Sequence, residues 1–143
     1  ICSVENIETT AVCQIKGGSD GLPLCTTRQD LKAGTSSDDY EHDITTWKFA
    51  CDFGGGWRLP SLIELRALYD NREDIGGFEN NEFYLSRSSF NPGLIENDDR
   101  KLEVWAKKFS GSGFGGDTNE KKLNLSPIRS DRGDTGYVRC VMR

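Results

Sequence analysis

One histidine and five cysteines are the residues of this chain best suited to covalent chemistry. A catalytic cysteine needs a histidine base within hydrogen-bond reach, and His42 is the only histidine. It sits between Glu41 and Asp43 at an acidic helix start, where the sequence predicts a solvated side chain rather than a base. With no C-x-x-C pair, the cysteines read as disulfides and not as a zinc site, which places the chain in an oxidising compartment.

A second chemistry is carried by oxygen ligands of the kind calcium requires. Asp117, Asn119, Glu120, Asp131 and Asp134 fall in one loop, residues 111–136, and Glu96, Asn97, Asp98 and Asp99 in another, residues 91–100. No EF-hand spacing is present, so solvated loop charge is the reading favoured over calcium, and no other cofactor is expected. Arg132-Gly133-Asp134 spells the tripeptide that integrins read, although Arg129, Arg132 and Arg139 equally suit ion pairs with Asp131 and Asp134. Trp105 serves either as core or as a platform for a sugar ring, since it points away from the Val104 stripe. Trp105, Asn119, Glu120, Asp117, Arg129, Asp131, Arg132 and Asp134 are therefore the ligand-binding candidates.

The chain has 143 residues, enough for one domain with a sizeable core. Its net charge of −5 disfavours nucleic acid or an anionic membrane as the main partner, and its basic clusters are small, Lys107-Lys108 and Lys121-Lys122. No run approaches the length of a membrane span, so no membrane insertion is expected. The abrupt start at Ile1-Cys2 points to a mature or trimmed piece of a larger exported protein.

Several elements must position these groups. Residues 1–40 hold Cys2, Cys13 and Cys25 among Thr, Ser, Asp and Gly, and read as a stapled, loop-rich arm that forms one compact unit with residues 41–143. Tyr40 to Cys51 reads as a helix, with Ile44, Trp47, Phe49 and Cys51 near helical spacing, ending at Gly54-Gly55-Gly56. Ser61 followed by Glu64 is a capping box, and Leu62, Leu65, Leu68 and Tyr69 give the next helix an apolar face. Short strands are expected at Phe83 to Leu85, Leu102 to Phe109, Lys122 to Leu125 and Tyr137 to Met142. The fold class predicted is α+β, two helices followed by short strands and long loops.

Together, Gly56-Trp57-Arg58-Leu59-Pro60-Ser61 with Glu64-Leu65, Ser88-Ser89-Phe90, Trp105-Ala106, Phe109-Ser110-Gly111 and Tyr137-Val138-Arg139-Cys140-Val141 resemble one family. It is the C-terminal domain family of the Legionella collagen-like adhesin, and the resemblance runs from about Asp43 to Arg143. The chain departs from it at Leu85-Ser86-Arg87, where the family carries Trp or Tyr directly before the serine pair. The resemblance implies a C-type-lectin-like arrangement, structural roles for Trp57 and Arg58, and a bridge between Cys51 and Cys140. One further bridge would then be shared among Cys2, Cys13 and Cys25, with Cys13 and Cys25 one of the open pairings.

Functionally, the resemblance implies an exported, non-catalytic adhesion domain at the cell surface that binds a glycan or a host, prey or matrix protein through its loops, and a homotrimer. Two rivals remain: a structural cap or oligomerisation domain of a fibre or pilus, and an enzyme of the formylglycine-generating kind. That enzyme chemistry needs cysteines in a metal-binding pocket, which the sequence does not supply.

Overall fold

In the computed structural model, helix α2 (Leu62–Asp70) starts where the capping pattern predicts. The Ser61 hydroxyl accepts from the Glu64 amide at 3.1 Å, and the Glu64 carboxylate accepts from the Ser61 amide at 2.9 Å. Arg58 closes on the same carboxylate with two bonds, 2.6 and 2.7 Å, so helix start and preceding strand segment are clamped together. Burial alone would push the Glu64 carboxyl up, but the Arg58 guanidinium and the Ser61 amide outweigh it and hold the pKa at about 2. Stability from this group is therefore full above the ordinary 4.5 and is lost as pH falls toward 2. Glu64→Gln is expected to cost about 1–3 kcal/mol at neutral pH and to flatten stability across that acid window, as read by urea denaturation at pH 7 and pH 3.

The structure describes residues 2–12, 24–33, 39–90, 103–110, 119–125 and 134–143. Among the described residues the architecture is mixed α+β, with three helices and two small antiparallel sheets. One sheet has the order β1-β2-β6, from Thr9–Val12, Leu24–Thr27 and Val141–Met142. The other runs β3-β4-β5, from Glu82–Phe90, Glu103–Phe109 and Glu120–Asn124. Helices α1 (Ile44–Trp47) and α3 (Arg72–Ile75) are single turns.

The β3-β4-β5 sheet is covered on both faces, which its alternation explains. Tyr84 and Phe109 face α2, packing with Leu65, Leu68 and Tyr69 together with Leu24 and Val141. Leu85, Val104, Ala106 and Leu123 face the other way, onto Trp47, Trp57, Val138 and the Cys51–Cys140 bridge. The two layers meet where Gly136 passes over Leu85. A Cβ there would lie 2.4 Å from Leu85 Cδ2, so Gly136→Ala is expected to lower stability by about 1–3 kcal/mol in thermal unfolding.

Three expectations change. The arm is not loop alone: β2 is fully buried and pairs Cys25 with Met142 and Thr26 with Val141, which joins the first 40 residues to the last strand. The helix expected over Tyr40 to Cys51 is only α1, because Asp43 caps it at the Thr45 amide and the His42 backbone instead pairs with Gly136. Past Trp47 the chain continues in turns, so Phe49 leaves the core side and stands 64% exposed. The strand at Phe83 extends over Glu82–Phe90, with a register shift between Leu85 and Ser89.

Candidate functional site

Among the polar loop candidates, Asp117, Arg129, Asp131 and Arg132 lie outside the described residues, as do Glu96, Asn97, Asp98, Asp99 and the first two residues of the Arg-Gly-Asp tripeptide. The rest are engaged within the fold. Glu120 accepts two bonds from Arg66, at 2.7 and 2.8 Å, with the buried Lys107 ammonium 3.6 Å away. Asn119 donates to Ser110 Oγ at 3.1 Å, tying β4 to β5 where the connecting loop leaves. Asp134 accepts from the Asn124 amide at 2.9 Å and returns its own amide to the Asn124 carbonyl at 2.7 Å. Among the described residues no group of three or more carboxylates, histidines or cysteines converges as metal ligands. Trp105 is half-buried on β4 and outside both core clusters, with the Lys122 ammonium 5.4 Å from its ring centre.

Arg139 does not pair with Asp134. It is fully buried and donates to Asp30 Oδ1 at 2.7 Å, the Thr27 carbonyl at 3.0 Å and the Gly76 carbonyl at 3.1 Å, while its guanidinium stacks 3.9 Å from the Phe78 ring centre. Tyr84 donates its hydroxyl to the same Asp30 oxygen at 2.9 Å. Burial raises the Asp30 carboxyl pKa even against the pull of Arg139, and burial likewise drives the Tyr84 phenol up. This network joins β2, the end of α3 and β3 to the C-terminal segment; it is a structural bolt and not an exposed acid–base pair.

His42 is buried, not solvated. Nε2 bonds to the Leu31 carbonyl at 2.9 Å and Nδ1 to Thr46 Oγ1 at 3.1 Å. Burial lowers its pKa, so the ring is neutral at physiological pH, donating from Nε2 and accepting at Nδ1. Its acidic sequence neighbours concealed this, because the partners come from a loop eleven residues upstream and from α1.

The cysteines follow the same structural pattern. Cys51 is bridged to Cys140, and Cys2 to Cys25, so Cys25 takes Cys2 and not Cys13, which lies outside the described residues. On β2, Cys25 stands opposite Ala11 of β1 and Met142 of β6, which anchors the bridge to Cys2 in the first sheet. Two disulfides indicate an oxidising environment. No helix among the described residues is long and apolar enough to cross a membrane.

The surface that remains available lies beside the first disulfide. Phe49 and Phe53, one 64% and the other 36% exposed, border a cleft of about 570 Å³ formed between the Gln29–Ala33 loop and α1. Phe53 also borders a second cleft of about 570 Å³, whose other walls are the N-terminal turn, Gly54-Gly55, Trp57 and Met142. Several lining groups are held in place: His42 and Thr46 bond to each other, Ala50 is next to the Cys51–Cys140 bridge, and the buried Trp57 makes an edge contact with Phe53. Two exposed aromatics on a rigid base, with polar groups converging beside them, make a concave site of ligand-binding size. Sequence reasoning placed Phe49 on a helix facing inward; the four-residue spacing of Phe49 and Phe53 just past Trp47 was the available signal.

Comparison of the chain with protein-family models, with curated proteins and with solved structures finds no match.

Proposed function

We propose that the protein is a non-catalytic recognition domain, displayed outside the cell, which holds a glycan in the clefts beside Phe49 and Phe53. The observation that carries this reading is the pair of exposed aromatic rings set on a disulfide-braced floor and flanked by polar groups. Phenyl rings stack on the apolar faces of sugar rings, and a floor that is already rigid keeps the ordering cost of binding low. The resemblance of Gly56-Trp57-Arg58-Leu59-Pro60-Ser61 and Tyr137-Val138-Arg139-Cys140-Val141 to the Legionella adhesin's C-terminal domain family supports adhesion and a C-type-lectin-like arrangement.

Support for a role without chemistry comes from how the reactive groups are engaged. Both nitrogens of His42 are bonded, and the four described cysteines are bridged. The oxygen ligands Glu120 and Asp134 are already held by Arg66 and the Asn124 amide, which favours calcium-independent binding. A glycan-array and immobilised-matrix screen of the oxidised protein, with calcium or with chelator, tests this. Saturable glycan binding that survives chelator is expected; binding only with calcium would return the site to the acidic loops, and binding only to protein would overturn the glycan assignment.

A further inference from the structure

The polar wall formed by Gln29–Ala33 carries an uneven charge. Its ionisable lining groups are Asp30, Lys32 and His42. Asp30 is taken up by Arg139 and Tyr84, with a side chain only 8% exposed, and His42 is buried and neutral. Lys32 is different. It is exposed, and among the described residues it has no acidic partner. Gln29 stands exposed three residues earlier on the same wall, its amide likewise without a hydrogen-bond partner among the described residues. Phe49 and Phe53 face this wall from the α1 side.

We infer that this cleft is built for a carboxylated pyranose, with the sugar ring against Phe49 and Phe53 and its carboxylate toward Lys32 and Gln29. The inference rests on the glycan reading above and narrows it. An aromatic wall supplies sequence-tolerant apolar contact, whereas a single compact ammonium and a neutral amide supply one charge-assisted bond and one ordinary one, which matches a monoanion. A phosphomonoester carries about −1.5 to −2 at neutral pH and calls for a cluster of cations that the cleft lacks. A densely charged chain is disfavoured further by the net charge of −5. Preference over a neutral sugar comes from the one ammonium–carboxylate pair that the uronide adds, and because that pair is exposed the preference weakens as salt is added.

The test is an NMR titration of the oxidised protein with methyl galacturonide, methyl galactoside and methyl galactoside 6-sulfate, repeated on Lys32→Ala and Phe49→Ala. Lys32 and Phe49 are exposed, so both variants retain the fold, as their unperturbed amide spectra would verify. The expected result is about tenfold tighter binding of the galacturonide than of the galactoside, a preference erased by Lys32→Ala with galactoside binding kept, and loss of both sugars in Phe49→Ala. Equal binding of uronide and galactoside, a preference that persists without Lys32, or a tighter sulfate would overturn the carboxylate assignment while leaving the glycan cleft standing. If none of the three sugars shifts the cleft resonances, the glycan reading itself falls. A trigalacturonate arm identifies the source: tighter than the monomer for a residue within a polysaccharide, equal for a free sugar acid, either of which upholds the inference.

Discussion

Replacing Cys51 and Cys140 together by alanine is expected to remove about 4–5 kcal/mol of stability. The bridge joins residues 89 apart in sequence, so its absence restores a long loop's freedom to the unfolded chain. Against a typical total of about 5–15 kcal/mol, the double variant would stand close to unfolding at 37 °C. The shorter Cys2–Cys25 loop, spanning 23 residues, is worth about 3–3.5 kcal/mol by the same reasoning, so its removal should cost roughly 1 kcal/mol less. Urea denaturation of the two double variants checks both the size and the order. Cys51 and Cys140 sit in the core cluster with Trp57 and Val138, against which Ala50 of the cleft wall packs, so under the proposed function the first variant should also weaken glycan binding before it unfolds globally.

Arg139→Met is expected to cost about 3–5 kcal/mol, since it leaves Asp30 as a buried carboxyl with no cation and orphans the Thr27 and Gly76 carbonyls. The Asp30 carboxyl already lies above its ordinary pKa, and without Arg139 burial would raise it further. The variant should therefore gain more stability on mild acidification than the wild type does. The double variant Asp30→Leu/Arg139→Met separates net charge pairing from desolvation: it should be more stable than either single variant, because no uncompensated charge remains. Chemical denaturation of the three variants at pH 7 and pH 5 supplies the comparison, and a double variant as weak as the sum of the singles would contradict the account.

What was legible in the sequence was local. Ser61 and Glu64 announce their helix because both halves of the capping box lie within one turn, and β4 is visible because Val104, Ala106 and Trp105 alternate across a sheet. Other features depend on partners far along the chain. β2 shows no alternation because all four of its side chains are buried, and its partner β6 lies more than a hundred residues away. Arg139 finds Asp30 at a separation of 109 residues, and no local pattern distinguishes it from Arg129 or Arg132. His42 carries two acidic neighbours that suggest solvent, yet the Gly136 pairing turns its ring inward onto Leu31 and Thr46.

The proposed binding surface was hidden for a related reason. Sequence reading places recognition on polar loops and treats aromatic residues as core. Here Glu120, Asn119 and Asp134 hold strands together, while the early end of α1 leaves Phe49 outside. Ser61 and Glu64, read from sequence as a capping box, close upon themselves with Arg58 as that pattern implies.

The central claim is where the ligand sits, and one comparison tests it most directly: binding of the wild type, Phe49→Ala and Trp105→Ala to the same glycan array, each verified as folded by its thermal midpoint. Both side chains are aromatic and at least partly exposed; Phe49 borders the cleft beside Gln29–Ala33, and Trp105 lines neither that cleft nor the one beside Gly54-Gly55. The account predicts that Phe49→Ala loses the array signal and Trp105→Ala keeps it. Retention in Phe49→Ala with loss in Trp105→Ala would contradict it and move recognition to the half-buried Trp105 on β4.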